Sequence, residues 1–287
     1  MLAKNKKMVY NQTYIKGTQA ERLALHEWYN EDVNNGVGCR SLVLIVHGYS
    51  DHMGRQYEMA HNLVEANTDV IAFGIDCHGH GMSDCERVLI KDFDLCINDL
   101  HLAVIHMKER HSLPENIGVT LIGHSMGGMI SVLYYQKFKN ADNILSLVLV
   151  APLLGREHKI LELNKLDVQP EAPFSPDVAS RNGNIIEEIK ADPLFYKGPF
   201  KKATLAAMVK SLTYIENHVS LNDVPVAWVH GDDDQLLLIE HSKHGLDHIK
   251  QNHYESLIFK GARHDLYHET NKQEIFDSIS DYVERMK

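Results

Sequence analysis

Residues Val119 to Met129 read VTLIGHSMGGM. The stretch opens as an apolar strand and turns through Gly123-His124-Ser125-Met126-Gly127. It runs on past Gly128 into an apolar, helical segment from Met129 to Phe138. A chain that reverses from strand to helix in so few residues holds its apex, Ser125, in a crowded and strained conformation. Gly123 and Gly127 stand two residues either side of it, where a Cβ would collide with the turn or the adjoining strand. The following helix aims its N-terminus, with free backbone N–H groups, at the serine and at any negative charge that develops there. Strand, tight turn and helix in this order predict one unit of a parallel sheet with a serine raised at the strand's C-terminal end.

Working outward, Ser41 to His47, Val70 to Ile75, Ile144 to Val150, Val224 to His230 and Ser256 to Phe259 are short apolar runs. Such runs suit strands covered on both faces. Between them lie helical patterns at Gln56 to Ala66, Asp94 to His111, Ile239 to Gln251 and Lys272 to Arg285. The second counts Leu95, Leu102, Ile105 and Met107 among its apolar residues; the last carries Ile275, Phe276, Ile279 and Val283 on one side. Strands alternating with helices predict an α/β class, doubly wound and mostly parallel. Met8 to Ile15 and Arg22 to Tyr29 alternate apolar and polar residues around Lys16-Gly17-Thr18, as an antiparallel hairpin at a sheet edge would.

From Leu153 to Leu221 the alternation stops, and prolines gather at 170, 173, 176, 193 and 199. Two pieces read as helices, Glu157 to Leu166 and Lys201 to Val219. The second has Leu205, Met208, Val209, Leu212 and Ile215 on one face and Lys201, Lys202, Lys210 and Glu216 on the other. Residues 153–221 are therefore expected to form a helical cap, inserted after the sixth strand into a core made of residues 1–152 and 222–287.

The composition narrows the partners. The 287 residues are 44% apolar and 24% charged, a globular balance. A net charge of −10 argues against nucleic acid and against docking on an anionic bilayer. The stretch from Met1 to Gly17 starts basic but has no apolar core of signal-peptide length, and no run approaches the roughly 18 apolar residues of a span. A soluble, cytoplasmic protein is expected. Cys39, Cys77, Cys85 and Cys96 lack C-x-x-C spacing and read as reduced, mostly buried thiols. Among 19 histidines, His78 and His80 can be grouped with His264 and His268 as metal ligands. They lack both nearby cysteine and the H-E-x-x-H spacing, so no metal is expected.

In a parallel α/β sheet, functional groups collect at the C-terminal ends of the strands. Four loops stand there: Gly48-Tyr49, Gly123 to Gly127, Gly231 to Asp234 and Gly261 to His264. A serine is a poor nucleophile at neutral pH; it needs a base, and the base needs a group that orients it. Chain order supplies Ser125, then the run Asp232-Asp233-Asp234, then His264 after the last strand. Three neighbouring aspartates leave the acid open between them. His47 and His124 flank the serine turn and the Gly48 loop and are expected to make structural hydrogen bonds beneath the site.

The chain resembles the α/β-hydrolase superfamily, and within it the monoacylglycerol lipase and lysophospholipase-like serine hydrolases. The resemblance rests on His47-Gly48-Tyr49-Ser50-Asp51-His52 with Arg55, on Asp76-Cys77-His78-Gly79-His80-Gly81-Met82-Ser83, and on Gly123 to Gly128. It continues through Ala191 to Tyr196, Gly231 to Asp234 and Gly261 to His264, in the family's order over nearly the whole chain. It implies ester hydrolysis through an acyl-enzyme, with no cofactor. It also implies that Ser125 is the nucleophile, His264 the base and Asp234 the acid, with the backbone N–H groups of Tyr49 and Met126 as oxyanion donors. The expected partner is a small acyl ester, a neutral monoester such as a monoacylglycerol or one of short to medium chain. Nucleic acid and stable membrane insertion are not expected. An acyltransferase, a peptidase and a non-catalytic receptor on the same scaffold are the other readings. Tyr49 stands where these lipases often have a small residue, and His78 where they often have arginine. The apolar face of the helix from Lys201 to Val219 is expected to wall the acyl site.

Overall fold

A computed structural model describes residues 7–171 and 176–287; the basic start of the chain and Pro173 lie outside them. β1 (Met8–Lys16) and β2 (Arg22–Asn30) pair antiparallel, with Met8 opposite Asn30. β2 also pairs antiparallel with β4 (Val70–Ile75). The rest is parallel: β3 (Ser41–Val46), β5 (Gly118–His124), β6 (Ile144–Val150), β7 (Val226–Gly231) and β8 (Glu255–Phe259). The order across the single sheet is β1-β2-β4-β3-β5-β6-β7-β8. The hairpin expected at the edge is there, with one difference. Only β1 is an edge. β2 is buried from Leu23 to Asn30, because β4 covers its second side.

Alternate strand residues feed two apolar layers. Leu42, Leu44 and Val46 of β3 point into one and Val43 and Ile45 into the other. The first layer is closed by α2 (Phe93–Arg110), α3 (Met126–Phe138) and α7 (Ile239–Ile249). The second is closed by α1 (Tyr57–Ala66) and α8 (Lys272–Met286), which contact each other. Helices on both faces explain why the strands read as unbroken apolar runs. In α2 the buried face is Phe93, Cys96, Ile97, Leu100, Ala103, Val104 and Met107, whereas Leu102 and Ile105 are exposed. Of the four cysteines Cys77 and Cys96 are buried, Cys39 is half-buried and Cys85 is exposed, so burial is less general than expected.

Between β6 and β7 the chain leaves the sheet. It forms a short α4 (Lys159–Glu162) that tightens into a 3-10 turn at Leu163–Lys165, then α5 (Gly183–Ala191) and α6 (Lys202–His218). The helix expected from Glu157 to Leu166 is thus shorter, and α5 was not foreseen. α6 corrects a further expectation. Its apolar residues Leu205, Met208, Leu212 and Ile215 belong to the layer under α2 and α3 and do not wall the serine's cavity. Thr204 fastens its first turn. The Thr204 Oγ1 hydroxyl donates to Val88 O at 2.8 Å and accepts from Ile90 N–H at 2.9 Å.

Candidate active site

Ser125 joins β5 to α3 with φ 56° and ψ −119°, a left-handed conformation that costs a non-glycine residue on the order of 1–3 kcal/mol. The surroundings hold it there. Its N–H donates to Val150 O, and its carbonyl accepts from Gly128 N–H and Leu153 N–H, each at 2.9 Å. A Cβ on Gly123 would stand 2.4 Å from Gly127 O, and one on Gly127 would stand 2.1 Å from Val46 O. The glycines are therefore demanded by backbone packed against backbone. Gly48 brings a second loop to the same spot: its Cβ direction ends 3.2 Å from Ser125 Cβ. The Gly48-Tyr49 backbone and the first residue of α3, Met126, thus border the serine.

β7 and β8 bring the remaining polar groups. His264 Nε2 lies 3.0 Å from Ser125 Oγ, and His264 Nδ1–H donates to Asp234 Oδ2 at 2.8 Å. Asp234 is 4% exposed, and its other oxygen accepts from Leu236 N–H and Leu237 N–H, both at 2.9 Å. Asp232 instead takes the N–H of Gly261, and Asp233 faces Arg263. Of the three aspartates, only Asp234 reaches the histidine. Burial alone would raise the Asp234 carboxyl. The charge of His264 and hydrogen bonds from His230 and His264 overcome it and hold the group well below the usual carboxylate range. Burial would likewise lower His264, yet the charge and hydrogen bond of Asp234 leave its pKa raised.

His47 and His124 make the hydrogen bonds expected of them. His47 Nδ1–H donates to Gly48 O at 2.8 Å and its Nε2 accepts from Cys77 N–H at 2.9 Å, tying the Gly48 loop to the end of β4. His124 Nε2–H donates to the carbonyl of His264 at 3.0 Å. Burial, then the nearby His264, pushes His124 down to about 4, so it stays neutral. The sequence reading missed His230, whose Nε2 sits 3.2 Å from Asp234 Oδ2. Its position at the end of a strand, just before Gly231, was the available signal. It also missed the ring around Arg55, which pairs with Asp51 at 3.0 Å and Asp265 at 2.6 Å, while Asp265 also meets His268.

A cavity of about 320 Å³ opens on Ser125 and His264. Tyr49, Ile160, Ile189, Phe195, Phe200 and Leu236 supply most of its apolar wall, four of them from the segment between β6 and β7. Tyr49 lies flat on Phe200, ring centroids 4.4 Å apart, and its hydroxyl accepts from Lys201 N–H at 3.2 Å. That segment is moored beside the cavity by His52 Nε2–H donating to Asp192 at 2.8 Å and by Tyr196 N–H donating to Ser50 O at 3.0 Å. A groove of about 470 Å³ between α2, α3 and α6 is lined by none of Ser125, His264 and Asp234.

The sequence pattern of the serine aminopeptidase, S33, family matches residues 38–271. A monoacylglycerol lipase of Mycolicibacterium smegmatis is 25% identical over 260 residues, 85% of this chain and 88% of that protein. The monoglyceride lipase of Homo sapiens is 28% identical over 254 residues, 85% and 82% of the two chains. Among solved structures, a soluble variant of monoglyceride lipase from Saccharomyces cerevisiae, in complex with a substrate analog, superposes with a TM-score of 0.76. The match spans 100% of this chain and 98% of that one at 20% identity, a likeness of fold.

Proposed function

This chain belongs to the serine aminopeptidase, S33, family, in the monoglyceride lipase-like branch of the α/β-hydrolases, and is a carboxylic ester hydrolase; we propose that it acts through an acyl-enzyme on Ser125. Its substrates in this reading are neutral monoesters, monoacylglycerols or esters of short to medium acyl chain. The observation that carries it is the run of contacts Ser125–His264–Asp234 at the mouth of an apolar cavity.

Each step follows from a group already placed. His264 Nε2 takes the proton of Ser125 Oγ as that oxygen adds to the ester carbonyl. Asp234 holds the imidazole with Nε2 toward the serine and stabilises the imidazolium. The oxyanion is received by the N–H groups of Tyr49 and Met126, the latter free at the first turn of α3. Collapse of the intermediate breaks the C–O bond, and His264 returns the proton to the leaving alcohol. Water then repeats the sequence on the acyl-enzyme and releases the acid. Residues 153–221 are the segment inserted on a core of residues 1–152 and 222–287, and its part before α6, from Ile160 to Phe200, walls the acyl group.

The charges beside the serine favour an ester over a peptide. An aminopeptidase must receive a substrate ammonium, which calls for a free carboxylate. Asp51 and Asp265 both line the cavity, and Arg55 engages both. Tyr49, locked on Phe200, narrows the space beside Ser125 against branched or multiply acylated glycerols. An ester panel of increasing acyl length, with monoacylglycerols, lysophospholipids and a peptide, run beside Ser125→Ala, tests the reading. Peptide turnover exceeding ester turnover would overturn it.

A further inference from the structure

Apart from the serine's cavity, a second polar group draws on three separate parts of the fold. Glu21 comes from the end of the β1–β2 turn, His78 from the loop after β4, and Asp99 from the middle of α2. One donor atom of each lies within 4.8 Å of the others. None of the three lines the cavity that holds Ser125. All are sheltered: the Glu21 and His78 side chains are 6% and 13% exposed, and Asp99 is 1% exposed.

Each carboxylate spends one oxygen on being oriented and keeps the other for the group. Glu21 Oε2 accepts from Gln19 N–H at 2.8 Å, and Oε1 faces His78 Nδ1 at 3.3 Å. Asp99 Oδ1 accepts from Thr18 N–H at 2.7 Å and Thr18 Oγ1–H at 2.6 Å. Among the described residues its Oδ2, which is buried, has no hydrogen-bond partner. A buried carboxylate oxygen left unpaired beside a second carboxylate is costly, and a cation removes the cost. Burial raises the Asp99 carboxyl, and the charge of Glu21 adds to the rise.

We propose that Glu21, His78 and Asp99 form a binding site for a divalent transition-metal ion, Zn²⁺ foremost. One imidazole nitrogen and two carboxylates are donors of the kind such ions take, with water completing the shell. Metal–ligand bonds of about 2.0–2.1 Å place tetrahedral donors roughly 3.4 Å apart. The Glu21–His78 separation of 3.3 Å already meets that, and closing 4.8 Å to it asks for side-chain movements of about an ångström. The oriented second oxygens are the support that built metal sites show. The ion would take the place of the hydrogen bond between His78 Nδ1 and Glu21 Oε1. The ion would tie the β1–β2 turn to α2 and to the loop that carries His80 toward Tyr49.

The test is calorimetric titration of Zn²⁺ into chelator-stripped full-length protein, with thermal melts. We expect one tight site per chain and a rise in Tm of roughly 5 °C at ~100 times the dissociation constant. Glu21→Gln and Asp99→Asn keep the acceptors for Gln19 and Thr18 and should lose the site and the Tm rise. His78→Gln leaves both tethers untouched and should do the same, which covers a variant that fails to fold. No tight uptake by the wild type overturns the proposal. So does uptake that survives undiminished in the three variants, since the ion would then sit on other histidines.

Discussion

His230 and Asp234, four residues apart at the end of β7, meet over one oxygen. His230 Nε2 lies 3.2 Å from Asp234 Oδ2, the atom that also accepts from His264. Trp228 Nε1–H donates to His230 Nδ1 at 3.2 Å, which leaves Nε2 as the protonated nitrogen, donating to Leu237 O at 3.0 Å beside the carboxylate. Asp234 therefore keeps its charge although the protein surrounds it, and it is the aspartate on which His264 depends.

Asp234→Asn should lower kcat by up to roughly 10⁴, because an amide favours the wrong imidazole tautomer and supplies no charge. Asp232→Asn and Asp233→Asn should stay within several-fold of wild type, since those side chains serve Gly261 and Arg263. Steady-state kinetics on the three variants decide it; a larger loss at 232 or 233 moves the acid there.

Ser125→Ala should abolish turnover, a fall on the order of 10⁶ in kcat, with the fold retained. Among the described residues, His264 alone hydrogen-bonds the Ser125 hydroxyl. Rates on a soluble ester and a thermal melt check both halves. Activity within a few-fold of wild type would remove Ser125 from the mechanism.

The pH profile should carry the raised pKa of His264. The base acts unprotonated, so kcat/KM climbs with pH through an apparent pKa above about 6.5. In Asp234→Asn the raising partner is gone, burial dominates, and the midpoint should move down. Chelators should leave the rate unchanged, because Glu21, His78 and Asp99 stand outside the cavity. A rate that collapses on chelation and returns with zinc would instead place metal chemistry at the serine.

Acyl length should act through burial. Each methylene added within the cavity is worth about 0.8 kcal/mol, close to fourfold in kcat/KM, until the 320 Å³ is filled. Soluble monoacylglycerols and short esters should outrun emulsified triacylglycerol. A jump in rate as micelles form would contradict the neutral-monoester reading.

Arg55→Met should destabilise the fold by about 3–5 kcal/mol, since it leaves Asp51 and Asp265 as buried charges without their partner. Denaturant unfolding measures this. A change under 1 kcal/mol would mean that Gln56 and His268 suffice for the two carboxylates.

Much of this was legible in the sequence, and the failures share a cause. The strands at Val70 to Ile75 and Ile144 to Val150 were read to the residue, because apolar runs stand out from the polar turns that bound them. The strand–turn–helix around Ser125 was legible because backbone contacts leave only glycine at 123 and 127. The apolar stripe of α6 announced burial without saying against what, and it packs under α3. α5 buries only Ile185 and Ile189, too few for a periodic signal; its mark was Asn182, whose side chain accepts from Asn184 N–H. The choice among three aspartates is one of direction in space, which spacing does not encode.

The position of α6 divides the inserted segment by what its parts are for. One face of α6 is interior, and removing the helix would cost the molecule part of its main apolar layer. Ile160, Ile189, Phe195 and Phe200, which line the Ser125 cavity, are instead hung between β6 and α6 by polar moorings such as His52–Asp192 and Ser50–Tyr196. Selection on what the enzyme accepts can therefore act on a stretch of about forty residues that lends the main apolar layer little beyond Ile160 and Leu161. Grafting residues 157–200 from a relative with another acyl preference should move the preference and spare the melting temperature.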